Sequence, residues 1–179
     1  VEPGHQGITP GGPRHVGDIR VAGEAAISVG IAGEHPVGVV GRAVRGKPQL
    51  APGIIRGELP CFKIFEDENV FAFLSIDPIN PGHTLVVPKL EIDHFIDLPE
   101  PHYAAVFSAA KPIARAIREA TQCRRVGMAV QGFEVPHFHL HLIPLAGAEE
   151  FDFRRARRMS EIEMKEMREK IVAKLKLAP

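Results

Sequence analysis

The chain has 179 residues, enough for one domain with a buried core. Its 22 lysines and arginines equal its 22 aspartates and glutamates, so no net charge attracts nucleic acid or an anionic membrane surface. No apolar run approaches the roughly 20 residues of a membrane-spanning helix, and Cys61 and Cys123 form no zinc-binding spacing. We therefore expect a cytoplasmic protein without a nucleic-acid or membrane partner.

The first 50 residues differ in composition from the rest. They hold 11 of the 17 glycines and none of the 10 phenylalanines, and repeated glycines interrupt each short apolar stretch. Such a segment buries too little apolar surface to offset its chain entropy. The composition predicts two parts: residues 1–50 as a glycine-rich extension, flexible or outside the native fold, and residues 51–179 as the folded domain.

From residue 54 onward the chain alternates short apolar runs with turn residues, which favours an antiparallel meander. Apolar residues at spacings of three and four predict one long helix, weakened or kinked at Pro112. Ser160 and Glu163 form a capping box at the start of a last helix, whose apolar stripe suits core or dimer packing. The predicted elements are a helical turn at 54–57, strands at 62–65, 70–76, 83–88, 125–131 and 135–144, a short helix at 91–95, and longer helices at 101–121 and from residue 160.

The run Pro136–Pro144, PHFHLHLIP, carries three histidines that alternate with bulky apolar residues. In an extended strand, His137, His139 and His141 would share one face. Each imidazole is polar and needs a hydrogen-bond partner, so three on one face are a poor choice for structure alone. A lone histidine is most often structural, but this spacing indicates a functional site.

Three motifs, in their order along the chain, resemble those of the histidine-triad (HIT) nucleotide hydrolases and transferases, in a bacterial form with a short loop before the triad. They are the segment IRGELP at 55–60, FAFL at 71–74 followed by PGHTLVVPK at 81–89, and the triad itself. The resemblance covers residues 54–177. It implies an α+β fold in which one long helix packs on a five-stranded antiparallel sheet, followed by a C-terminal helix, and it implies a homodimer.

The resemblance also implies a nucleotide substrate whose α-phosphate is attacked by His139. His137 and His141 would orient the nucleophile and transfer a proton, and His83 would complete the cluster from a neighbouring strand. The substrate would be a nucleoside phosphoramidate or a dinucleoside polyphosphate, and no metal or other cofactor would be needed. The chemistry agrees, because a neutral imidazole is nucleophilic at pH 7 and a covalent nucleotidyl-histidine divides one hard displacement into two.

The nucleotide pocket is less complete in this sequence. Ser75 stands where the family usually has a ribose-binding acid, and Asp77 is the nearest carboxylate. In the shortened loop before the triad, a glycine can offer its backbone N–H to an oxyanion, while Glu134 stands where a phosphate-binding serine is common. The resemblance assigns the nucleotide to Ile54, Leu59, Phe73, Ser75, Ile76, Asp77, Gln131 and Gly132.

Two other functions are left open by the sequence. A His-x-His pair with a distant histidine can bind zinc with one position free, which would make the protein a zinc-dependent enzyme. The second open function is that of a non-catalytic, nucleotide-binding regulatory module. The basic run 154–158 fits either a solvated surface or a phosphate contact.

Overall fold

The computed structural model describes residues 50–176, with three α-helices and five strands in that range. The glycine-rich extension therefore lies outside the described residues, apart from Leu50. No helix in this part of the chain is both long and apolar enough to cross a membrane. The elements are α1 (Leu50–Ile55), β1 (Lys63–Glu66), β2 (Val70–Leu74), β3 (Thr84–Pro88), α2 (His102–Thr121), β4 (Arg125–Val130), β5 (Leu140–Leu145) and α3 (Glu161–Lys176), with 3₁₀ helices at Phe95–Asp97, Ala148–Glu150 and Phe153–Arg155.

The five strands form one antiparallel sheet in the order β1-β2-β3-β5-β4. Strands β1, β2 and β3 form the expected meander, and β5 inserts between β3 and β4 after α2 has crossed one face. The predicted α+β architecture is confirmed.

The main core lies between this sheet and the two long helices. Because side chains alternate along a strand, Val70, Ala72 and Leu74 of β2 all point to the helical side, as do Leu140 and Leu142 of β5. The stripe of α3 joins the same core, which confirms its assignment to packing. From the helices, the core receives Val106, Ala109, Ala110, Ile113, Ala116, Ile117, Met164 and Ile171.

A second apolar cluster covers the opposite face of the sheet. Phe71 and Phe73 alternate to this side of β2 and meet Val87 of β3 and Ile54 of α1. The short helix α1 thus closes the face that α2 leaves free.

Several elements differ in extent from the prediction. Helix α1 spans Leu50–Ile55 rather than 54–57. The short helix predicted at 91–95 does not form, because the carbonyl of Ile92 accepts from the N–H of Phe138 instead of from a helical N–H, and the helical turn lies later, at Phe95–Asp97. Strand β5 begins at Leu140 rather than at 135, because the N–H of His137 bonds to the carbonyl of Val135 (2.8 Å) and that of Phe138 to Ile92 (2.6 Å) instead of a ladder partner. Strand β2 ends at Leu74 rather than at 76, since the chain turns there toward the loop before β3.

The capping box of α3 forms as predicted. The carboxylate of Glu163 accepts from the backbone N–H and the hydroxyl of Ser160, at 2.9 and 2.7 Å. Helix α2 passes through Pro112 without ending, although this residue has no N–H to donate.

Candidate active site

His141 lies in a cross-strand row on the sheet face opposite α2. It pairs with Leu85 of β3 on one side and with Ala129 of β4 on the other. Leu85 in turn pairs with Phe73 of β2. Directly paired residues project to the same face of a sheet. Phe73 of the second apolar cluster, Leu85 and His141 therefore lie side by side on one face of β2, β3 and β5.

His83, the residue before β3, reaches the same place. Its Nε2 lies 2.9 Å from Nδ1 of His141, and its Nδ1 lies 3.2 Å from the backbone N of Ile79. A backbone N–H can only donate, so Nδ1 of His83 accepts and its proton is on Nε2. His83 therefore donates to Nδ1 of His141, whose own Nε2–H points to the carbonyl oxygen of Gln131 at 3.4 Å. This chain of hydrogen bonds assigns one neutral tautomer to each ring.

Burial keeps these two rings neutral. His83 is 3% exposed and His141 is 8% exposed. Loss of hydration, with a smaller contribution from the neighbouring histidines, lowers the pKa of His83 to about 3 and that of His141 to about 4. At pH 7 neither ring carries a positive charge.

His139 is the partly exposed ring of the cluster. Its Nδ1 lies 2.7 Å from the carbonyl oxygen of His137, which can only accept, so Nδ1 carries the proton and Nε2 keeps its lone pair. The ring meets that of His141 at a centroid distance of 4.8 Å and an angle of 65°. A Cβ added at Gly132 would lie 3.4 Å from Cε1 of His139, so the loop before the triad runs close beside this ring.

The ring of His137 takes a different direction from the other two triad rings. It is 1% exposed, and its Nε2–H donates to the carbonyl of Pro88 at 3.0 Å. Burial lowers its pKa, and its Nδ1 has no hydrogen-bond partner within the described residues. His137 and His139 precede β5, so the triad does not line one strand face, and His137 reaches His139 through its backbone carbonyl.

The expected nucleotide residues fall into two groups. Ile54, Leu59 and Phe73 come together in the second apolar cluster beside the histidines. The others are not members of this cluster. Ser75 donates its N–H to the carbonyl of His83 (2.9 Å), and Ile76 is 45% exposed. The remaining three, Asp77, Gln131 and Gly132, are exposed, as is Glu134 in the same loop as Gly132.

Comparison with known proteins identifies the family of this chain. The model of the HIT domain matches residues 56–147, more than half of the chain. The chain belongs to the HIT family.

Several curated HIT proteins are similar in sequence. "Protein hit" of Bacillus subtilis is 38% identical over 101 residues, which cover 52% of this chain and 68% of that protein. Adenosine 5′-monophosphoramidase HNT1 of Saccharomyces cerevisiae is 35% identical over 92 residues, 51% of this chain and 58% of that protein. Adenylylsulfatase HINT3 of Arabidopsis thaliana is 35% identical over 96 residues, 51% of this chain and 49% of that protein.

A crystal structure of a zinc-bound histidine-triad protein from Mycobacterium smegmatis has the same fold. It is 30% identical with a TM-score of 0.62, and the match covers 71% of this chain and 92% of that one. In the described part of our HIT protein, no three His, Cys, Asp or Glu side chains are arranged to hold a metal ion. All four ring nitrogens of His83 and His141 bond to each other or to the backbone, so this pair does not fit a zinc ion.

One contact of the HIT site was not expected from the sequence. The ring of Phe153 stands edge-on to His141, with centroids 5.0 Å apart and planes at 84°. Phe153 lies in the irregular segment after β5, where no periodicity indicates which side chain turns inward. The only sequence signal is a pair of aromatic residues, Phe151 and Phe153, in an otherwise charged stretch.

Proposed function

We propose that this HIT protein is a nucleotide hydrolase or nucleotidyl transferase in which Nε2 of His139 attacks the α-phosphate of a nucleoside 5′-phosphate derivative. The observation that carries the proposal is the 2.7 Å hydrogen bond between Nδ1 of His139 and the carbonyl of His137. A proton held on Nδ1 leaves the lone pair on Nε2, as a nucleophile requires. His139 is also more exposed than the other three histidines of the cluster, so a substrate can reach it.

The reaction has two steps. The Nε2–P bond forms as the bond from phosphorus to the leaving group breaks. Water then attacks phosphorus and loses a proton to solvent, and the N–P bond breaks so that its electron pair returns to Nε2 of His139 and a nucleoside monophosphate is released. The negative phosphate favours uptake of a proton from solvent at Nδ1 of His141 in the complex, and the resting hydrogen bond from His83 to this nitrogen is then lost. The leaving group takes this proton together with the bonding electron pair, and His141 returns to its neutral form. We assign orientation of the nucleophile to His137 and His83.

The nucleoside is proposed to lie on the second apolar cluster. Ile54, Leu59 and Phe73 offer an apolar surface to a base, and the cross-strand row from Phe73 to His141 connects that surface to the phosphate position. Ile76 would add to the apolar surface for the base. Ser75 and Asp77 would contact the sugar, and Gln131 and Gly132 would contact the phosphate.

The relatives support a substrate class. One is named for hydrolysis of an adenosine 5′-monophosphoramidate and another for hydrolysis of adenylyl sulfate, so the nucleotide part agrees while the leaving group differs. We propose a nucleoside phosphoramidate or a dinucleoside polyphosphate as the substrate of this protein.

The test is a mass-spectrometric assay of the purified protein with adenosine 5′-phosphoramidate, adenosine 5′-phosphosulfate and diadenosine polyphosphates. We expect release of AMP and, after a quench that avoids acid, an adenylyl group on His139. His94→Ala is a matched control, because this histidine lies outside the cluster with its side chain 70% exposed. An adduct on another residue would show that His139 is not the nucleophile. No release of AMP from any of these compounds would favour a non-catalytic module.

We also propose a homodimer. Strand β4 is an edge of the sheet and leaves Met128 51% and Val130 46% exposed, and Tyr103 on α2 is 40% exposed. Ala110, on the apolar face of α2, is buried in the main core and is therefore not free to contact a partner. Light scattering at micromolar concentration should return a dimer, and a purely monomeric species would contradict this.

A cytoplasmic location is part of the same proposal. Both cysteines are free and half-buried, which suits a reducing compartment.

A further inference from the structure

After β5 the chain passes back over the histidines in a segment, residues 146–157, that we call the strap. It contains two 3₁₀ helices and places the ring of Phe153 edge-on against His141 at 5.0 Å. Phe153 is half-buried but belongs to neither hydrophobic cluster, so packing of the core does not account for its position.

The strap is fastened to the loop that precedes β3. The side-chain amide of Asn80 donates to the carbonyl of Pro144 at 2.8 Å and to Oε2 of Glu150 at 3.0 Å. Further along the strap, the backbone N–H of Arg157 donates to the carbonyl of Pro78 at 3.1 Å. These bonds flank the part of the strap that carries the aromatic ring, and they restrict its movement.

The strap also rests directly on the sheet. The ring of Phe151 lies 6.4 Å from that of Phe153 and packs over Gly127 of β4, where an added Cβ would come within 3.0 Å of it. The glycine therefore permits a close approach of the strap to the strand beside β5.

The loop that anchors the strap also holds His83, since the backbone carbonyl of Asn80 accepts from the N–H of His83 at 3.0 Å. His141 is thus held between His83 on one side and Phe153 on the other. The titratable groups that face His141 are His83 and His139, and the strap adds an uncharged ring.

We propose that Phe153 is a positioning residue that holds the His141 ring in the orientation and tautomer set by its hydrogen bond from His83. The apolar ring of Phe153 excludes water from His141 and offers it no competing hydrogen bond. The two nitrogens of His141 therefore bond to His83 and to the carbonyl of Gln131. The effect on turnover rests on the proposed function, whereas the effect on the ring itself does not.

The experiment compares Phe153→Leu, which keeps an apolar side chain without a ring, with Phe153→Tyr, which keeps the ring. Phe65→Leu is the matched control, because Phe65 is also half-buried but lies in β1 at the far end of the sheet. Nitrogen NMR of the histidine rings reports the tautomer of His141, and steady-state kinetics with adenosine 5′-phosphoramidate report kcat and KM separately.

In the unsubstituted protein and in Phe65→Leu, His141 should show a single Nε2–H tautomer. In Phe153→Leu the two tautomers should mix, and kcat should fall about 10- to 100-fold while KM changes less than about threefold, as for loss of a group that orients a catalytic side chain. Phe153→Tyr should keep the single tautomer and most of the turnover.

The two proposals fail in different ways. If Phe153→Leu retains a single tautomer and full kcat, the positioning role is wrong and the proposed function stands. If the unsubstituted protein does not turn over the phosphoramidate or the phosphosulfate but the tautomers still mix in Phe153→Leu, the proposed function is wrong and the positioning role stands. Equal losses in the Leu and Tyr variants would show that the ring edge is not what holds His141.

Discussion

Lowering the pH should destabilise the folded protein through its buried histidines. The pKa values of His83 and His141 are about 3 and about 4 in the fold, against an ordinary value of 6.5. Below pH 6.5 the unfolded chain binds protons that the folded protein does not bind. The stability that the neutral rings of His83 and His141 allow is therefore fully present above pH 6.5. The free energy of unfolding decreases as the pH falls from 6.5 toward the folded pKa values. Burial lowers the pKa of His137 as well, which adds to the loss in the same direction.

The size of the loss at pH 5 follows from the two states. Both folded pKa values lie below 5, so between pH 6.5 and 5 it is essentially the unfolded chain that takes up these protons. A span of about 1.5 pH units at about 1.36 kcal/mol per unit gives about 2 kcal/mol for each ring. The pair should therefore reduce the free energy of unfolding by about 4 kcal/mol, a large share of the 5–15 kcal/mol typical of a domain.

Urea unfolding at pH 7.5 and pH 5.0 measures this loss, with His83→Gln as the comparison. The glutamine keeps a side-chain N–H that can donate to His141 but removes the titrating ring. The change in unfolding free energy between the two pH values should be about 2 kcal/mol smaller in His83→Gln than in the unsubstituted protein, because carboxylates contribute equally to both. The same pH dependence in both proteins would refute the conclusion that His83 is buried in its neutral form.

Three further predictions concern the reaction and the chain. His139→Ala should reduce turnover of adenosine 5′-phosphoramidate by at least about 10³-fold and should still bind nucleotide. His137→Ala and His141→Ala should lose less turnover. Full activity in His139→Ala would exclude His139 as the nucleophile. Removal of residues 1–49 should leave the unfolding midpoint and turnover nearly unchanged, whereas an insoluble or inactive product would show that this segment is structural. Turnover should survive exhaustive chelation, with no stoichiometric zinc by elemental analysis; activity lost in chelator and restored by zinc would favour a metalloenzyme.

The sequence predicted the elements whose signal is local and periodic. The long helix, the capping box at Ser160 and the antiparallel strands follow from spacing, turn residues and hydrogen-bonding side chains that act within a few positions. Placing His83 beside the triad required the family resemblance, since 54 positions along the chain separate it from His137. The structure puts it 2.9 Å from His141.

Contacts made by irregular segments could not be predicted in this way. Strand alternation placed the three triad histidines on one face, but residues 135–139 bond within the loop and to Ile92, so β5 begins only after His139. Neither Asn80 nor Phe153 lies in a periodic stretch, and each acts through a partner more than ten residues away: Asn80 bonds to Glu150, and Phe153 contacts His141. Which loop side chain meets the site depends on how the finished sheet brings its loops together.

The burial that weakens the protein in acid also suits the proposed chemistry of the site. Because His83 and His141 are neutral at pH 7, neither competes with His139 as an exposed base, and neither adds a fixed positive charge beside the nucleophile. In the proposed reaction, positive charge at His141 then develops when a phosphate is present to stabilise it, which is the moment when the leaving group needs a proton. In the same proposed reaction, a permanently protonated cluster would attract phosphate more strongly, but its positive charge would disfavour the cationic nucleotidyl-histidine formed on His139.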